Sequence, residues 1–144
     1  MPYLMNNRVL QTGFTLLEVI IVVIIVGVLM SLAVPRFFNV VEQSRGAEAL
    51  NNLSDLRRSM VRCQLRQNSY LNCDAFSNLD LLDPSTAPNT HFTYSIRLGG
   101  TTAFTLTATR NTNNGGDNTS TISLSHDDLA GTVTRSGSTP FSGI

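Results

Sequence analysis

The chain has 144 residues and no net charge, with ten basic residues balanced by ten acidic ones. That length suits one small domain plus an anchor and is too short for two domains with separate cores. Zero net charge gives no long-range pull toward nucleic acid. Only two cysteines and two histidines occur; Cys63 and Cys73, with no histidine near them, cannot complete a four-ligand zinc site, and nothing in the composition suggests a cofactor. Every basic residue is an arginine, for which we have no physical account.

In chain order, a short leader ends at Gly13. From Phe14 to Val34 the chain is apolar except for Thr15, Gly27, Ser31 and one acid, Glu18. Roughly twenty such residues suffice to cross a bilayer as a helix. The run is rich in β-branched residues, from Val19 to Val28, which in water favour a strand. In lipid a lone strand leaves its backbone groups unpaired, so a helix is expected there. Glu18 is costly inside such a segment and needs a partner or a task. The milder reading is an acid placed in a first helical turn, where the helix dipole favours it.

Pro35 follows the apolar run. Proline removes an amide donor and clashes with the preceding turn, so a kink is expected here, with a helix end at the bilayer surface as the alternative. Helical patterning then resumes. Ala49/Leu50, Leu53, Leu56, Met60 and Cys63 recur every three or four residues, one apolar stripe of an amphipathic helix. Arg58, Arg62 and Arg66, with Arg57 beside them, form a basic strip that either meets acidic patches on a partner or is a solvated face. A helix from Phe14 to about Arg66 would hold about 53 residues and reach roughly 80 Å. No soluble domain of this size buries a helix that long, so half of it belongs in membrane or in a polymer. In an exported chain Cys63 and Cys73 are expected to form one disulfide pinning the helix end to the following loop; the alternative is two buried thiols.

Residues 67–90 carry Asn, Asp, Ser and Pro, with Asp83-Pro84 and Ala87-Pro88 as breakers, and read as a linker. Alternation begins at Phe92. Phe92, Tyr94, Ile96 and Leu98 share one face, and Thr93, Ser95 and Arg97 the other. Gly99-Gly100 turns the chain. Phe104, Leu106 and Ala108 alternate with threonines, Ile122 and Leu124 mark a third strand, and Gly131 to Arg135 a weaker fourth. An apolar face and a Thr/Ser face indicate an antiparallel sheet covered on one side. The expected fold is α+β: a long N-terminal helix packed on an antiparallel sheet of three to four strands. The loop Asn111 to Asn118 is oxygen-rich, yet its one acid, Asp117, matches no EF-hand spacing, and a plain turn is the expectation. Asn52-Leu53-Ser54 and Asn118-Thr119-Ser120 are sequons that chance explains in so polar a chain. No nucleophile elbow, metalloprotease motif or phosphate loop occurs, so an enzyme is not expected.

The stretch Gly13-Phe14-Thr15-Leu16-Leu17-Glu18-Val19-Ile20 closely resembles the N-terminus of type IV pilins and the related pseudopilins of type II secretion. The resemblance is specific over residues 13–35 and architectural beyond. It implies cleavage after Gly13 by a membrane prepilin peptidase and N-methylation of the new terminal Phe14. It implies pairing of Glu18 with the terminal amine of a neighbouring subunit; opposite charges in a low-dielectric core are far less costly together than apart. Pro35 matches a proline common where such helices bend. The implied division is a leader (1–13), a transmembrane and filament-core helix (14–34), an amphipathic half (35–66) and a head of linker and sheet (67–144). The implied partners are other pilin subunits, the peptidase, an inner-membrane assembly platform and, before assembly, the membrane. The location would be single-pass inner membrane, then a periplasmic or cell-surface filament.

Three functions stay open: a pilus subunit for adhesion, motility or DNA uptake, a type II secretion pseudopilin, and a secreted or anchored binding module. Many pilins close a C-terminal loop with a disulfide, and no Cys follows Cys73. Major pseudopilins often carry a tryptophan segment before the sheet, and Trp is absent. The Thr/Ser face and short sheet lean toward a pilin. Two other readings of the N-terminus compete: a secretory signal peptide cleaved at Ser31-Leu32-Ala33, and a plain single-span anchor. The leader holds only Arg8, against Arg36 and Arg45 beyond the span, which by charge alone places the N-terminus outside; prepilins insert with the leader in the cytoplasm. Met5 is an alternative start.

Overall fold

The computed structural model describes residues 13–143; the expectations about Arg8, Met5 and the rest of the leader before Gly13 lie outside them. The chain divides into two units, up to Phe37 and from Phe38 onward. One helix, α1 (Leu16–Gln67), passes through both.

In the first unit the helix begins at a side-chain cap. The Glu18 backbone N–H donates to Thr15 Oγ1 at 3.2 Å, and the Val19 N–H donates to the Thr15 carbonyl at 3.3 Å. Thr15-Leu16-Leu17-Glu18 therefore has the form of a capping box, a Thr whose hydroxyl serves the third helical N–H and an acid at that third position. The β-branched run that follows is helical throughout. Its most apolar 18-residue window has a mean hydropathy of 3.0, and none of it is buried within the chain. Ser31, its internal hydroxyl, donates to the Val28 carbonyl at 2.7 Å, so the helix backbone satisfies it. Pro35 lies inside the helix.

In the second unit α1 turns one stripe inward. Gly46, Ala49, Leu53, Leu56, Ser59, Met60 and Cys63 are buried, the three-to-four spacing that one helix face requires. Leu50, paired with Ala49 in the sequence reading, only packs against the edge of this core. The helix stops at Asn68, which takes the left-handed conformation (φ 53°) that commonly ends a helix. Asn89, Asn114 and Asn118 do the same in the loops, which gives the asparagine-rich segments a conformational reason.

The sheet has four strands: β1 (Phe92–Leu98), β2 (Ala103–Arg110), β3 (Thr121–Asp127) and β4 (Thr132–Gly137). They form an antiparallel meander in the order β1-β2-β3-β4. The register puts Tyr94, Ala108 and Ile122 in one row and Ile96, Leu106 and Leu124 in the next. These rows face the helix stripe. Ser95, Thr107, Ser123 and Ser136 form a row on the opposite face, with Arg97, Thr105, Ser125 and Thr134 in the next, and no described element covers them; the Thr105 and Ser125 hydroxyls bond at 3.0 Å, and those of Ser123 and Ser136 at 2.8 Å. The arrangement is the α+β fold expected, with the weak fourth strand present and extended to Gly137.

The linker contributes more than a connection. Two 3₁₀ turns, Phe76–Asn78 and Pro84–Thr86, order it. Asp83 accepts from the Ser85 N–H at 2.8 Å, and Ser85 Oγ accepts from the Tyr94 N–H, also at 2.8 Å. The linker thus occupies the outer edge of β1. Tyr70 is fully buried, edge-on to Phe104 with ring centroids 4.8 Å apart. Phe141, beyond the last strand, folds back into the core, 5.7 Å from the Phe92 ring. That return needs Gly137, where a Cβ would overlap the Phe141 carbonyl.

Candidate functional site

Two regions hold the chemistry-bearing residues. The first is the start of α1. Gly13 and Phe14 precede the helix, and the Phe14 side chain is 81 % exposed. Glu18 sits in the first turn, also exposed, and forms no ion pair with a described residue. Its backbone is capped by Thr15, so the local helix explains why an acid is tolerated there. The surrounding side chains Leu17, Val19, Ile20 and Ile21 are all about half exposed or more. A carboxylate on a helix end otherwise made of aliphatic surface is a single polar handle on a surface that must be covered.

The second region holds the helix to the sheet. Arg110 ends β2 and is among the most buried side chains in the chain, 1 % exposed. Its Nε donates to Glu42 Oε2 at 3.0 Å and its Nη2 to Glu42 Oε1 at 3.3 Å, a fork on one carboxylate. Its Nη1 donates to the carbonyls of His91 at 3.0 Å and Asn111 at 2.9 Å. The guanidinium also lies over the Phe92 ring, 5.8 Å from its centroid. Arg45 pairs with Glu42 from the next helical turn. Burial alone would push the Glu42 carboxyl up; the Arg110 guanidinium, with Arg45 adding to it, outweighs this and holds it below the ordinary glutamate range. The loop after β2 closes over the cluster at Gly116, where a side chain would strike the Asn111 carbonyl and the Arg110 guanidinium.

The sequence reading gave Arg110 and Glu42 no role. The signal was present: continuing the alternation Phe104, Leu106, Ala108 puts Arg110 on the apolar face, where a charge requires a partner.

Cys63 and Cys73 are joined by a disulfide, which ties the helix end to the linker as expected of an exported chain. Beside it, Asp80 accepts from Arg62 Nε at 2.6 Å and Nη2 at 2.9 Å, and from the Ser59 hydroxyl. Arg62 first, then Ser59, holds the Asp80 carboxyl well below the usual range. Arg62, read as part of the basic strip, is therefore engaged within the head. Asp117, the acid of the oxygen-rich loop, spends both oxygens on its own turn. It accepts from the N–H groups of Thr119 and Ser120 at 3.0 Å each, and from the Ser120 hydroxyl. No group of three or more metal-ligating side chains occurs among the described residues.

Comparison with known proteins places this geometry. The model of the prokaryotic N-terminal methylation motif matches residues 8–34. The model of the family described as type IV minor pilin ComP, DNA uptake sequence receptor, matches residues 35–123. The chain is 31 % identical over 81 residues to a type IV major fimbrial protein FimA of Dichelobacter nodosus, covering 56 % of this chain and 51 % of that one. It is 32 % identical over 90 residues to type II secretion system core protein G of Aeromonas hydrophila, 62 % of this chain and 61 % of that one. It is 33 % identical over 67 residues to the type IV narrow pilus major component PilA5 of Thermus thermophilus, 46 % and 58 %. The chain spans about half the length of the curated relatives it matches. The second of the two matched segments takes in more than half of the sequence, and it covers the amphipathic half of α1, the linker, β1, β2 and the start of β3: the chain belongs to the type IV minor pilin ComP family.

Proposed function

We propose that this protein is a structural subunit of a type IV pilus-like filament. In this reading a prepilin peptidase cuts between Gly13 and Phe14 and methylates the Phe14 amine. Residues 14–34 hold the subunit in the inner membrane, and an assembly platform passes it into a polymer built on that same helix. Residues 35–66 form the amphipathic half of the helix, and residues 67–144 form the head. Glu18 pairs with the terminal amine of a neighbouring subunit. The role is structural rather than enzymatic.

The observation that carries this is the contrast within α1. The most apolar 18-residue window of α1 is not buried by any of the described residues, and a single acid stands in the first turn of the helix. A membrane covers the apolar surface but leaves Glu18 unpaired at a cost. A bundle of identical helices covers both, because each neighbour brings an amine for the acid. The test is Glu18→Ala in the full chain. Cleavage, methylation and membrane insertion should persist while filaments are lost. Normal filaments from that variant would remove the role.

Of the tasks open to such a filament we favour DNA uptake, on the family match alone. DNA retention by sheared filaments should then fall steeply with added salt, as phosphate binding requires; salt-insensitive retention, or none, would contradict it. The likeness to core protein G, which covers the largest share of the chain among the relatives given above, supports a second reading as a secretion pseudopilin. Loss of protein secretion with intact piliation on deleting the gene would decide for it.

A further inference from the structure

Two grooves flank the second half of α1, and their charges are opposite. On the β4 side, Ser54, Arg57 and Arg58 of the helix face Leu124, Val133 and Arg135 of the sheet across a groove of about 510 Å³. It exists because the helix does not reach β4, whose residues are nearly all exposed. On the β1 side, Glu48, Asn52 and Asp55 face the linker, with Leu82 and Asp83 among the lining, across a groove of about 530 Å³. Three arginines line the first groove and three carboxylates the second. Each also shows one exposed aliphatic side chain: Val133 at 43 % and Leu82 at 88 %. Arg58 bonds Asp55 at 3.0 Å over the outer helix surface, and Glu48 lies 3.7 Å from His91. Arg57 and Arg135 have no carboxylate partner among the described residues.

We infer that the arginine-lined flank of one copy of this chain meets the acidic flank of the next, with Arg57 against Glu48 at the contact. Complementary grooves on opposite flanks make a heterologous contact. Such a contact, where its rotation does not close a ring, repeats as an open helical filament. The inference rests on the filament reading and adds the head's part in it.

The contact sets its own axial shift: bringing Arg57 level with Glu48 in a parallel neighbour takes nine residues, about 13.5 Å at 1.5 Å per residue. The plainer account of Arg135 is a charge on the inward face of an edge strand, which discourages stray pairing. That account gives Arg57 no function and predicts no partner on the acidic flank.

The test uses the full chain assembled into filaments. One variant carries Glu48→Cys with Arg57→Cys, and each single substitution serves as control. A short bis-maleimide should give a ladder of covalent oligomers from the double variant and monomers from either single. Intact filaments with no ladder would overturn the inference and leave the filament reading standing. A covalent dimer from Arg57→Cys alone would overturn it too, since that is a symmetric contact. Failure of the unaltered chain to form filaments would overturn both. Charge reversal gives a second measurement: Arg57→Glu with Arg135→Glu should lower filament yield about fivefold or more, and adding Glu48→Arg should restore it. Unchanged filaments with loss of DNA retention would assign the groove to DNA instead.

Discussion

The two halves of α1 share one secondary structure and have opposite surroundings. In the first half the apolar side chains from Leu16 to Val34 are all exposed. In the second half Leu53, Leu56 and Met60 are wholly buried. The difference lies in the pattern. The first half is apolar on every side, so no single sheet could cover it. The second half concentrates its apolar residues on one stripe, which matches the inward rows of the sheet. One half therefore finds its partner within the chain, and the other must find it outside.

The largest expected effect sharpens this contrast directly. Leu56→Ala should destabilise the head by about 3–4 kcal/mol, the usual cost of emptying a closed core site. Ile24→Ala, at a position 60 % exposed, should leave head unfolding unchanged. Chemical denaturation in detergent, followed by near-ultraviolet circular dichroism, checks both. An equal loss from Ile24→Ala would break the comparison.

Next is the Arg110–Glu42 fork. Arg110→Ala should cost about 3 kcal/mol, because it removes a buried hydrogen-bonding partner and leaves its neighbours unsatisfied. Replacing both members, Arg110→Met with Glu42→Leu, should cost less than the single change. The same denaturation measurement distinguishes them.

The sequence made the helix stripe and the strand alternation legible because both are periodic and each residue reports its own side. It did not reveal Phe141 or Tyr70 as core, since each lies in an aperiodic segment rich in turn residues and is buried by chain return. Glu42 was hidden for a related reason: its partner is 68 positions away. Among the residues proposed for assembly, Gly13, Phe14 and Glu18 were legible as a contiguous motif. The paired grooves were not, since each combines helix residues with strands or linker distant in sequence.

Removing the disulfide is expected to matter somewhat less. Cys63→Ser with Cys73→Ser should cost about 2–3 kcal/mol, the chain-entropy value for a loop this short, and should act on the head alone. Reduced and oxidised protein compared by thermal unfolding provide the check.

The smallest effect is acid sensitivity. Glu42, Asp80 and Asp117 all have folded-state pKa values below their ordinary range. The unfolded chain then binds more protons, so their stabilisation is complete above the ordinary carboxylate range and is lost as pH falls through the folded values, below about pH 4. Denaturation midpoints at neutral pH and in mild acid should show it, and Asp80→Asn should flatten part of the slope.

The account stands most directly on where the mature chain begins. Mass spectrometry of the N-terminus from native membranes or sheared filaments should find N-methylated Phe14. A chain starting at Val34 would make residues 1–33 a discarded signal, leave Glu18 without a role, and contradict the claim that the exposed half of α1 is the assembly surface.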